Sequence, residues 1–161
     1  MARFRISGIP NALAAEVRQT LRAPAYGHPA SREPATGYGP CRHCLRSFAI
    51  GREDRILFTY QPFVEPGSLP APGPVFIHAE DCEHYVGSTL PSDFRTLPLV
   101  FEAYRNGGWQ AAQERIGTGA SDERLEALFD RTGADYVHIR NAEAGCFMAR
   151  AERLAPVPAR R

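Results

Sequence analysis

The sequence predicts an α+β protein: a mainly antiparallel sheet with about two helices packed on one face, and long Pro/Gly-rich loops. Three observations carry this. The strand-like segments between residues 54 and 112 follow one another with no helical pattern between them, an order that suits antiparallel neighbours. Only "NALAAEVRQTLRA" and "SDERLEALFDRTG" have helical spacing. The segments "APAYGHPASREPATGYGP" and "VEPGSLPAPGP" are dense in Gly and Pro, which punctuate chains rather than extend elements.

Taken in order, "ARFRISGIP" alternates at Phe4 and Ile6 and reads as a strand closed by Gly8 and Pro10. Asn11 is the expected N-cap of the first helix, in which Leu13, Val17 and Leu21 recur at helical spacing before Pro24. Residues 23–40 are expected to be one long irregular loop that delivers the chain to Cys41. "DRILFTYQPF" is a strand bounded by Gly51 and Pro62, and "VFIHA" is a short buried strand whose end presents His78.

"LPLVFEAYRNGGWQAAQERI" reads as a hairpin turning at Asn106-Gly107-Gly108, with Trp109 as a packing residue. The second helix has a cap at Ser121, acids Asp122 and Glu123 in its first turn and a stop at Gly133. "DYVHIR" and "CFMARAERL" are the closing strands. Residues 1–153 are expected to form a single domain and 154–161 a frayed tail.

Composition excludes several functions. The net charge is +1, so nothing favours nucleic acid or an acidic membrane surface. All 19 basic residues are arginine; Schiff-base chemistry on a lysine and the Gly-Lys-Ser/Thr phosphate loop are therefore out. The first residues lack the continuous apolar core of a signal peptide, and no stretch has the apolar length of a membrane span. The expected compartment is the cytoplasm, where thiols stay reduced. Oligomeric state is not legible.

The chemistry-bearing residues fall into two groups. Cys41 and Cys44 are two residues apart, spacing that suits half a zinc site, a redox dithiol or two buried small side chains. The redox option is weakened because a Gly/Pro loop, not a strand, precedes the pair. After a 33-residue gap, "FIHAEDCEH" places His78 four residues before Cys82. Two short-spaced pairs from separate segments are how a tetrahedral zinc shell is usually delivered. Glu80 and Asp81 stand beside it as oxygen donors or supporting groups, and His43 is a spare nitrogen.

The second group is "YVHIRNAEAGC". In a strand, Tyr136, His138 and Arg140 share one face and Val137 and Ile139 the other. A half-exposed antiparallel strand would look the same. Gly145 lets the chain turn so that Cys146 returns toward His138, and a thiol beside an imidazole is the minimum for an activated nucleophile.

"PCRHCL", "GPVFIHAEDC" and "VHIRNAEAGCF", in that order, resemble the bacterial domain-of-unknown-function 1203 family over nearly the whole chain. The resemblance implies no particular activity. It does imply that Cys41, Arg42, His78, Cys82, His138, Arg140, Asn141, Gly145 and Cys146 lie in signature segments and converge.

Two functions are expected from these residues. One is metal binding, with zinc held by Cys41, Cys44, His78 and Cys82. The alternative is a small enzyme acting on an anionic molecule, using Cys146 or Cys41 with His138 or His78, and Arg140 or Arg42 to hold the anion.

Overall fold

The computed structural model describes residues 3–37, 39–62, 73–105 and 109–154. Among these, the strands are β1 (Phe4–Ser7), β2 (Ser31–Pro34), β3 (Asp54–Tyr60), β4 (Gly73–His78), β5 (Val86–Gly87), β6 (Leu99–Arg105), β7 (Trp109–Ile116), β8 (Tyr136–Asn141) and β9 (Phe147–Arg153). The helices are α1 (Asn11–Thr20) and α2 (Asp122–Thr132). The class is α+β, with two sheets instead of one. Six strands run in the order β5-β1-β9-β8-β6-β7 and three in the order β2-β3-β4. Every pairing in both is antiparallel.

Helix α2 forms for the reasons its sequence suggests. Ser121 Oγ accepts the Arg124 N–H, Asp122 and Glu123 occupy the first turn, and Gly133 closes the helix at φ 65°. Leu125, Leu128 and Phe129 are buried on one face of the large sheet against Phe101, Val137, Ile139 and Ala151. Each such side chain contributes about 1.5–3 kcal/mol by leaving water.

Helix α1 does not share that face. Its Ala14 and Val17 belong to a second core with Cys41, Cys44, Phe48, Ile56, Phe58, Val75 and Ile77, built over the small sheet. Pro10 stands at its N-cap, not Asn11; the Asn11 side chain contacts His43 instead.

Three further expectations change. The 23–40 segment contains β2, an edge strand paired with β3, and its Pro29 forms an isolated bridge to Arg22 just before it. Trp109 is 77% exposed and is not a packing residue. The face of β8 carrying Tyr136, His138 and Arg140 is buried, not half-exposed. The 106–108 turn, most of the second Pro/Gly-rich loop and residues 155–161 of the expected tail lie outside the described residues. No helix among the described residues is long and apolar enough to cross a membrane.

Candidate metal centre

Segment 41–45 enters the structure between the two sheets and is held there by its backbone. Arg42 N–H donates to Phe76 O on β4, Ile9 N–H donates to Arg42 O, and Tyr85 N–H donates to His43 O. The Leu45 N–H closes a turn onto Cys41 O at 2.8 Å. That turn aims Cys41 and Cys44 the same way. It requires φ +61° at Leu45, a conformation usually left to glycine. A fully buried leucine side chain in the first core holds it.

His78 ends β4, and Cys82 follows four residues later, as expected from their spacing. One donor atom from each of Cys41, Cys44, His78 and Cys82 lies within 4.8 Å of all the others. Cys41 Sγ is 3.9 Å from Cys82 Sγ, and Cys44 Sγ is 3.4 Å from His78 Nδ1. A tetrahedral ion with metal–sulfur bonds of about 2.3 Å needs donor separations of roughly 3.8 Å. The donor set and its spacing could therefore hold a metal ion. Cys41 and Cys44 are buried, and Cys82 is partly exposed. All four of the chain's cysteines are free thiols.

The surroundings are arranged for negative charge on sulfur. Cys41 Sγ accepts backbone N–H groups from His43 at 3.4 Å and His78 at 3.3 Å. Arg18 Nη2 donates to Cys82 Sγ at 3.2 Å while its Nε donates to His78 O at 3.0 Å. Hydrogen bonds with Cys41 and Cys82 push the Cys44 thiol well below its ordinary range, and Arg46 donates to it. Hydrogen bonds with Cys41 and Cys44 push Cys82 up, because one charge on the cluster disfavours another. Burial lowers His78, but its bonds with the Cys41 and Cys44 thiols outweigh it and raise the ring to about 10.

His78 is oriented by a residue that sequence reading missed. Its Nε2 donates to Glu53 Oε2 at 2.6 Å, which leaves Nδ1 facing Cys44. A ligating histidine typically has such a carboxylate behind it. Glu80 pairs with Arg32 and Asp81 with Arg18, so both stand outside the donor set. His43 Nε2 donates to Asn11 Oδ1 at 2.7 Å, and its Nδ1 lies 3.1 Å from Cys82 Sγ. Burial, then Arg18 and His84, hold His43 down to about 4. Arg18, beside Cys82, and Asn11, beside His43, come from α1, where nothing in the sequence marks them as neighbours of the site.

The second group is placed by the β8–β9 hairpin. The hydrogen bond that reaches Cys146 comes from Arg42, with Nη2 2.9 Å from Sγ. His138 lies edge-on to Phe147 and tilted against Tyr104 and Tyr136. Burial, then Arg150 and Arg140, hold its ring down to about 3. Arg140 forms an ion pair with Glu102 and donates from Nη1 to Gly145 O at 2.9 Å.

A family described as "Protein of unknown function (DUF1203)" matches residues 38–153. The chain belongs to this family. The matched DUF1203 segment takes in all four clustered donors, Glu53 and the Arg42–Cys146 pair, and it leaves out Arg18 and Asn11. No curated protein and no solved structure matches the chain.

Proposed function

We propose that this protein binds one zinc ion through Cys41, Cys44, His78 and Cys82. The observation that carries the reading is the convergence of three thiols and one imidazole within 4.8 Å of one another. The Glu53–His78 bond and the N–H groups aimed at Cys41 support it. Four protein ligands make a closed, structural site, and this one would tie the 41–45 turn to the end of β4. A reducing compartment such as the cytoplasm suits three unpaired thiols.

A partly open version of the same centre has one observation in its favour. A cavity of about 360 Å³ is lined by His78 and Cys82, with Arg46 and Arg52 and the carboxylates of Glu53, Asp54, Glu80 and Asp81 in its walls. Water or a small polar molecule entering there would meet the exposed side of the centre.

Elemental analysis of protein purified without a metal-affinity column should find about one zinc per chain. Chelation should lower the melting temperature. Metal-free folded protein whose melting is unchanged by chelation would overturn the proposal.

A further inference from the structure

We propose that the metal centre is an oxidant-sensitive switch: a hydroperoxide joins Cys41 to Cys82 in a disulfide, which removes two of the four donors and releases the ion. The release step rests on the metal-binding reading above.

The first support is distance. Cys41 and Cys82 are 41 residues apart in the chain, yet their sulfurs stand 3.9 Å apart. A disulfide needs about 2.0 Å, so the two sulfurs must close by roughly 2 Å. Cys44 Sγ is engaged differently, with His78 Nδ1 at 3.4 Å.

The second support is which sulfur is free to move. Cys41 belongs to a turn whose backbone is clamped by Phe76 O, by Ile9 N–H and by the close approach of Gly8. Cys82 lies on a loop tied at its ends, where Ala79 N–H donates to Asp54 O and Tyr85 N–H donates to His43 O. Residues 80–84 between those ties belong to no helix or strand. Moving the Cys82 sulfur toward Cys41 gives up side-chain contacts with Arg18 and His43 and disturbs no sheet ladder.

The third support is access. Cys82 is partly exposed and borders the cavity of about 360 Å³, whereas Cys41 is sealed from solvent. Cys44 borders a second cavity of about 470 Å³ but is only 3% exposed. An oxidant entering the first cavity therefore meets Cys82 before any other sulfur of the centre.

The chemistry balances as two steps. The Cys82 sulfur attacks one peroxide oxygen and the O–O bond breaks; the sulfur becomes a sulfenic acid, and the other oxygen leaves as water or an alcohol. The Cys41 sulfur then attacks the Cys82 sulfur, the S–S bond forms, and the hydroxyl takes up a proton and leaves as water. Two thiols are oxidised and one peroxide is reduced. Cys44 and His78 remain, which is half of a tetrahedral shell. A dithiol reductant returns both thiols and restores the site.

The test uses the full chain, purified reduced with its metal and treated with hydrogen peroxide at about tenfold molar excess. A chromophoric chelator follows zinc release, and tryptic mapping without reductant identifies the linkage. Trypsin resolves the pairs, because Arg42 separates Cys41 from Cys44 and Cys82 falls on a third peptide. About one zinc should be released for each Cys41–Cys82 linkage formed, and dithiothreitol with added zinc should reverse both. Cys146→Ser should leave linkage and release unchanged, since Cys146 lies outside the donor group. Release with a Cys41–Cys44 linkage, with a linkage to Cys146 or with no linkage overturns the proposal, as does a Cys41–Cys82 disulfide that keeps its zinc. These outcomes are read on the wild type and stand even if a variant misfolds. Protein that is metal-free before oxidation overturns the zinc reading and the switch with it. Zinc-loaded protein that keeps its zinc in peroxide overturns the switch alone.

Discussion

Replacing Glu53 by alanine should weaken zinc binding about tenfold and leave the fold in place. The carboxylate lies 2.6 Å from His78 Nε2 and also accepts the Ala49 N–H at 3.1 Å. It therefore fixes which imidazole nitrogen carries the proton and which faces Cys44. Removing such an orienting partner typically weakens metal binding 10–100-fold. The Glu53 side chain is 42% exposed, so water takes over part of its role and the low end applies. That corresponds to about 1.4 kcal/mol. Glu53→Gln keeps an acceptor for the ring N–H but loses the charge, and should weaken binding by only about threefold. Glu80→Ala is the control: its side chain is 79% exposed and pairs with Arg32, so it should have no effect. Competition against a chromophoric zinc chelator measures each affinity, with circular dichroism confirming the fold. A Glu53→Ala affinity within about twofold of wild type, or an equal loss in Glu80→Ala, would refute the assignment of His78 as an oriented ligand.

Two further outcomes follow from backbone and burial. Leu45 is fully buried at φ +61°, so Leu45→Ala and Leu45→Gly both empty the same space, at about 2–5 kcal/mol. Glycine relieves the positive φ, and the glycine variant should be the more stable by up to about 1 kcal/mol in urea unfolding; a clearly more stable alanine variant contradicts the strain. His138 titrates at about 3 in the fold against an ordinary 6.5, so stability should fall as pH drops through this interval. The unfolded chain takes up a proton there that the folded one refuses. The stability advantage of wild type over His138→Gln should therefore shrink by about 1 kcal/mol between about pH 6.5 and 5.5. A pH-independent difference would show that His138 is not held neutral.

Helix α2 was legible because each of its signals is local. Ser121 caps, Gly133 stops, and no distant residue competes for either. The two halves of the donor cluster were legible for the same reason, since Cys-x2-Cys and His-x3-Cys are turn-sized spacings. Glu53 was not, because its position behind His78 follows from register: Arg55 is paired with His78 across β3 and β4, which brings the start of β3 alongside. Asn11 was misread because its one side-chain oxygen could serve as a cap or as an acceptor for His43, and only the fold decides between them. The edge strand "SREP" has no apolar alternation to reveal it, and Pro34 is tolerated because an edge strand has an unpaired side. The division into two sheets was invisible because β1 and β9 pair from opposite ends of the chain.

The Cys41–Cys44 turn matters beyond the four donors because it is the seam between the two sheets. Its backbone bonds to β4 through Phe76 O and to the loop after β1 through Ile9 N–H. Gly8 lies so close that an added Cβ would stand 2.3 Å from His43 O, which leaves that backbone no room to shift. Leu45 anchors the turn in the first core while Cys41 and Cys44 lie in the second. Between them Arg42 reaches across to Phe147 O on β9 and to Cys146. An ion held by Cys41 and Cys44 would fix the backbone from which Arg42 extends, and so fix the guanidinium against the Cys146 sulfur. The same five residues thus carry half of the proposed metal site and, through Arg42, the side-chain link to Phe147 and Cys146.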